Sequence, residues 1–139
     1  MLYFANSIIA SGLDTTGSIA AAAARMLKME GPPQAPVWLD FILPDGDPVG
    51  TIYVVGGIDP TRVVRLIPTL VESTDTNITH TAGQKNIALA NPADGANVIV
   101  LVEKPPPFLG FEYVVGSAGH ATNGMDVHAQ SYRPLQPAA

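Results

Sequence analysis

Thirteen glycines and thirteen prolines are spread along this chain, so that few stretches run long enough for a helix. Proline removes a backbone donor and fixes φ, and glycine frees φ, so together they mark turns between short elements. The apolar runs left between them are rich in Val, Ile and Thr, which favour strands. "VWLDFIL" (37–43) sets Val37, Leu39, Phe41 and Leu43 on one face and Trp38, Asp40 and Ile42 on the other. "PDGD" (44–47) is a turn, and "GTIYVVGG" (50–57) reads as the return strand of a hairpin. "TRVVRLIPTLVES" (61–73) is ambiguous: Asp59-Pro60 could open a helix, but Pro68 would break one after two turns, and the β-branched content argues for an edge or bulged strand.

"TAGQKNIALANPADGANVIVLV" (81–102) continues in the same style. "TNITHT" alternates, Ile87 and Leu89 share a face, and "NPADG" (91–95) is a turn. "ANVIVLVEK" (96–104) is apolar on both faces, as expected of a central or doubly covered strand, and Pro105-Pro106-Pro107 stops it. "GFEYVVGS" (110–117) and "GMDVHAQSY" (124–132) bring the total to about eight strands. The expectation is a mainly β fold, a small antiparallel sandwich or barrel spanning 36–132. "RPLQPAA" (133–139) reads as an exposed tail.

One segment breaks the pattern. "SIAAAAARMLKMEG" (18–31) has Ser18 as an N-cap, five consecutive alanines, and Gly31-Pro32-Pro33 as a stop. It predicts a short helix over 18–30 with Ile19, Ala22, Ala23, Met26 and Leu27 on one face. Residues 1–17 read as an extended arm, so residues 1–35 form an arm-and-helix unit before the sandwich.

Composition narrows the classes of function. Charged residues are 14% of the chain, against roughly 25% in ordinary soluble domains, while 47% are apolar. Either the exterior is covered in an assembly, or a Thr/Asn/Gly surface replaces the usual charges. Seven basic against twelve acidic side chains give a formal charge of −5, and the cations form no long cluster. No direct nucleic-acid partner is expected. The absence of cysteine excludes disulfides and thiol chemistry. "MLYFANSIIASG" lacks a basic n-region, so no secretory signal is expected, and no uncharged apolar run is long enough for a membrane span.

The candidate constellations for chemistry are thin. His80, His120 and His128 stand with Asp75, Asp94 and Asp126, and a strand over "MDVHAQ" would put Asp126 and His128 on one face within reach of His120. The competing reading makes these outward polar residues, with Met125, Val127 and Ala129 turned inward. No serine sits in a Gly-x-Ser-x-Gly elbow, and Ser117 and His120 are too close in sequence for a nucleophile–base pair. Asp40, Glu72, Glu103 and Glu112 are the carboxylates that glycosidase-like chemistry would need. Gly56-Gly57 matches no phosphate-binding loop, and "PDGDPVG" lacks the glutamate of a calcium loop. Trp38, Tyr53, Tyr113 and Tyr132 are either a sugar-stacking platform or core and interface anchors. No catalytic residue, cofactor or metal is assigned.

Residues 74–130 resemble the virion structural proteins of tailed phages, head decoration proteins in particular. The matching pieces are "TNITHTAG", "KNIALANPADG", "NVIVLV" and "FEYVVGSAGHATNG". The usual Leu-Pro at the start of the turn is Ala90-Asn91-Pro92 here, and helix 18–30 has no counterpart. The resemblance implies a non-enzymatic bacteriophage protein located in the virion. It implies a homo-oligomer such as a trimer, bound to the major capsid protein or another virion protein, with no membrane partner. A carbohydrate-binding sandwich and a metal-dependent enzyme on His120, Asp126 and His128 are the competing expectations.

Overall fold

The alternation of "VWLDFIL" carries directly into the computed structural model, which describes residues 5–13, 26–29, 35–45, 48–118, 124–131 and 135–137. Twelve strands occur among these residues: β1 (Ala5–Leu13), β2 (Leu27–Met29), β3 (Val37–Leu43), β4 (Val49–Asp59), β5 (Arg62–Arg65), β6 (Leu70–Glu72), β7 (Ile78–Thr79), β8 (Asn86–Ala90), β9 (Ala96–Val102), β10 (Phe108–Ala118), β11 (Met125–Ser131) and β12 (Leu135–Pro137). They form two antiparallel sheets. The first runs β1-β11-β3-β9-β6, and the second runs β12-β2-β10-β4-β8-β7 with β5 also paired to β4.

The expected β-sandwich is therefore present, with more strands than the eight expected. Eight of them still form its skeleton. In chain order β1, β2, β3, β4, β8, β9, β10 and β11 change sheet at every connection except β4 to β8. This is the strand order of a jelly roll, the double-sheet architecture built from two Greek keys. The β4–β8 connection carries the additions β5, β6 and β7.

That topology corrects the hairpin reading of 37–57. β3 pairs with β9 and β11, whereas β4 pairs with β8 and β10, so residues 44–48 lead from one sheet to the other. The turn at 91–95 likewise crosses between sheets, with Asn91 (φ 51°) and Gly95 (φ 79°) both in the left-handed region. Residues 61–73 also divide. β5 joins the second sheet and β6 the first, because the chain crosses between them at Pro68, and Thr69 N–H donates to the Leu101 carbonyl at 2.8 Å.

The predicted helix 18–30 lies mostly outside the described residues, but its end is corrected. Leu27–Met29 is a strand, held by β10 on one side and β12 on the other. Leu27 is fully buried and Lys28 is exposed, the alternation of a strand edge overriding the helix preference of the alanines before it. The segment read as an arm supplies β1, which pairs along β11 with register shifts between Ile8 and Ala10 and between Ala10 and Leu13.

The core lies between the sheets. Val37, Leu39, Phe41 and Leu43 of β3, Val98 and Val100 of β9, and Met125, Val127 and Ala129 of β11 face Ile52, Val54, Phe111 and Tyr113 of the second sheet. Phe41 and Phe111 meet edge-to-face across the gap, with centroids 5.7 Å apart and an interplanar angle of 80°.

Tyr113 is the odd member of this core. Its hydroxyl is buried and has no hydrogen-bond partner, and burial pushes its pKa up to about 12. Tyr113→Phe should therefore leave stability unchanged or raise it by up to about 1 kcal/mol, read from urea unfolding at neutral pH. Because the folded value exceeds the ordinary 10, the folded chain holds this proton more tightly than the unfolded chain. The associated stability is complete below pH 10 and is lost as pH rises toward about 12. Tyr113→Phe should flatten that part of the alkaline transition.

Candidate interaction surface

An antiparallel sheet with one solvated face normally places polar side chains outward. The first sheet departs from that rule on its central strands. The outer positions of β3 are Trp38, Asp40 and Ile42, and those of β9 are Asn97, Ile99 and Leu101. Register assembles them into rows. Gln130, Trp38, Leu101 and Leu70 lie side by side across β11, β3, β9 and β6. The next row is His128, Asp40, Ile99 and Glu72, and the third is Asp126, Ile42 and Asn97. Neighbouring strands are about 4.8 Å apart, so each row is a continuous line of contacts.

Trp38, Leu70 and Ile99 are exposed on this face, and Ile42 and Leu101 are half-buried. Five large apolar side chains thus form one patch running from the central strand β3 to the edge strand β6, bordered by Gln130, His128, Asp126 and Glu72. One polar pair interrupts it, the Asn97 amide donating from Nδ2 to Asp40 Oδ1 at 2.9 Å. The double-faced apolar character of 96–104 is explained here. Val98, Val100 and Val102 enter the core while Ile99 and Leu101 face out, and β9 has a neighbour on each side. The doubly apolar strand was visible in the sequence, but its exposed half was not.

The second sheet treats its outer face differently. Arg65 reaches from β5 across Tyr53 of β4, its guanidinium carbon 3.7 Å from the ring centroid, and its Nη2 lies 2.7 Å from Glu112 Oε1 of β10. Charge and ring together cover this surface, although a partly exposed pair of this kind contributes little to stability.

The sequence-derived constellations disperse over the fold. Asp126 and His128 do share the outer face of β11, and Met125, Val127 and Ala129 are fully buried, while His120 lies outside the described residues. His80 stands on the β7–β8 connection in the other sheet, its Nδ1 2.9 Å from the Asn86 carbonyl oxygen. Asp75 holds two loops together, accepting at 2.8 Å from the backbone N–H of Asn77 and of Ala93. Asp94 belongs to the β8–β9 turn. Among the described residues no three His, Asp or Glu side chains gather as metal ligands.

The four carboxylates are equally scattered. Asp40 and Glu72 share a row with Ile99 between them, Glu112 is paired to Arg65 on the opposite sheet, and Glu103 lies just beyond β9. Of the aromatics, Trp38 is on the first sheet, Tyr53 under Arg65 on the second, and Tyr113 in the core, while Tyr132 is outside the described residues; Ser117 lies in β10 and His120 outside the described residues.

A second apolar surface went unseen in the sequence. The β4–β5 hairpin carries Ile58, Val64 and, just after it, Ile67, exposed by 85%, 65% and 55%. Its turn is fixed by Asp59, whose Oδ1 accepts from Thr61 N–H at 2.8 Å and from Thr61 Oγ1 at 2.7 Å, and these bonds hold the carboxyl below its ordinary pKa. The unbroken "RVVRLI" lacks strict alternation, which is the only trace of this surface in the sequence.

Comparison of the chain with protein-family models, with curated proteins and with solved structures finds no match.

Proposed function

We propose that this chain is a non-enzymatic structural protein of a phage virion, a self-associating module that docks on the major capsid protein or another virion protein and decorates or cements the lattice. The observation that carries this reading is the apolar patch of Trp38, Ile42, Leu70, Ile99 and Leu101 on the outer face of the first sheet. A patch of this kind, rimmed by polar side chains, is the usual mark of a surface meant to be covered. The low charge content and the jelly-roll strand order, an architecture that recurs in capsid domains, support the same reading. Fold-level analogy alone assigns no function, so the patch bears the weight.

Co-sedimentation with capsids assembled from the major capsid protein tests it. The chain should pellet with particles, and Ile99→Lys should weaken that binding about tenfold or more while leaving the circular dichroism spectrum unchanged. A chain that stays in the supernatant at every capsid concentration would falsify the reading.

One observation favours a second reading, a carbohydrate-binding sandwich. Trp38 is exposed beside Gln130 and near Asp40, which accepts from Asn97, an aromatic plane next to hydrogen-bonding groups. Glycan-array binding that disappears in Trp38→Ala, with no capsid binding, would select this reading over the first.

A further inference from the structure

We infer that the chain pairs with a second copy of itself through the β4–β5 hairpin and the hollow at its base, each hairpin tip filling the other copy's hollow about a twofold axis. The inference deepens the self-association in the reading above and names its surface. It does not involve the patch on the first sheet.

The hairpin outruns the sandwich. At this end β10 begins at Phe108, opposite Gly57, and the first sheet ends at Val37 and Val102. Ile58 and Asp59 lie beyond that limit. Gly56 faces inward, since a Cβ there would lie 2.5 Å from Pro106 Cγ and 3.1 Å from Leu66 Cδ1. Val64 is its register partner and shares that face. The core-side face of the hairpin is thus apolar where, among the described residues, no strand of the opposite sheet remains to cover it.

The hollow lies directly beside this overhang. Leu66, Ile67, Val102 and Pro106 supply its apolar lining and Glu103 and Lys104 its charged edge, around a volume of about 520 Å³. Knob and hollow are neighbours on one end of one chain, which is the arrangement an isologous contact requires.

Charge selects a second copy as the occupant. Arg62 at the hairpin turn is exposed, and its neighbour Arg65 is the one that pairs with Glu112. Arg62, Glu103 and Lys104 are therefore available. A surface with both signs beside its knob, Asp59 and Arg62, and both signs beside its hollow, Glu103 and Lys104, complements itself after a twofold rotation, Arg62 of one copy meeting Glu103 of the other and Asp59 meeting Lys104. A partner of uniform charge would meet a like charge at one of these positions.

Sedimentation equilibrium of the full chain tests the inference. A monomer–dimer equilibrium is expected, and Ile58→Asp should raise its dissociation constant about tenfold or more without changing the unfolding curve, because Ile58 is on the surface. Arg62→Glu and Glu103→Arg should each weaken the dimer, and the double variant should recover most of the loss. A monomer at every concentration, a trimer, a dimer indifferent to Ile58→Asp, or a double variant weaker than both singles would overturn it. Capsid binding is read separately: a wild-type monomer that still pellets with particles removes this inference and leaves the docking reading in place.

Discussion

Phe111→Ala should lower the free energy of unfolding by about 3–5 kcal/mol, measured by urea denaturation. Phe111 is fully buried on β10, and its ring meets Phe41 of β3 from the opposite sheet. Truncation removes three contributions together: the transfer of the ring from water, the packing around the space it fills, and an edge-to-face pair of about 0.5–1.5 kcal/mol. The rigid walls of two sheets cannot close on the gap, so the loss belongs in the upper part of the range. A domain stable by about 5–15 kcal/mol would be left close to its unfolding threshold. Phe111→Leu should recover much of the loss, and equal losses for Ala and Leu would show that the rings do not hold the sheets together.

Gly50→Ala, one methyl group, should cost about 3 kcal/mol, at the upper end of overpacking effects. A Cβ at this position would lie 2.5 Å from the Tyr113 hydroxyl oxygen, 2.8 Å from Tyr113 Cζ and 2.5 Å from the Val114 carbonyl oxygen. A side chain can swing aside, but Val114 belongs to the neighbouring strand of the same sheet, and its carbonyl moves only if β10 moves. The pair Gly50→Ala with Tyr113→Phe should therefore recover part of the loss, the part due to the hydroxyl. Full recovery would mean that the backbone contact is harmless. No change in thermal midpoint for Gly50→Ala alone would mean that β4 and β10 are less closely paired than their register implies.

These two sites show what could be read in advance. The inward face of "VWLDFIL" was legible because a period of two needs only local information, and Val37, Leu39, Phe41 and Leu43 are all buried. Partnership was not legible. "PDGD" and "NPADG" have the chemistry of hairpin turns, yet both carry the chain from one sheet to the other, because a turn sequence sets local φ and ψ and says nothing about which distant strand will pair. Leu27–Met29 follows the same logic. The alanines before it favour a helix, but contacts with Phe108 and Leu109, far along the chain, decide the outcome. Proline at 68 announced an interruption, though not that β5 and β6 would settle in different sheets.

The candidate surface was half visible for a related reason. Apolar residues on both faces of 96–102 and at Trp38 and Ile42 were plain in the sequence, where outward and inward aliphatics look alike. Only the pairing β11-β3-β9-β6 separates Ile99 and Leu101 from Val98 and Val100 and brings Trp38 and Leu70 alongside them. Of the trio in the metal alternative, His120 lies outside the described residues. Asp126 and His128 do share a face as their spacing required, but His80, Asp75 and Asp94 are held elsewhere by backbone partners or by turns.

The pairing of β1 with β11 bears on how the molecule comes into being. Ala5–Leu13 leaves the ribosome long before its partner Met125–Ser131 is made. Until residues 125–131 have been made, β1 lacks this neighbour in the nascent chain, and closure of the first sheet must wait for them, with a wide loop to draw shut. A ribosome stalled before residue 125 would hold a chain with that edge unsatisfied and its partly assembled interior open to chaperones and proteases.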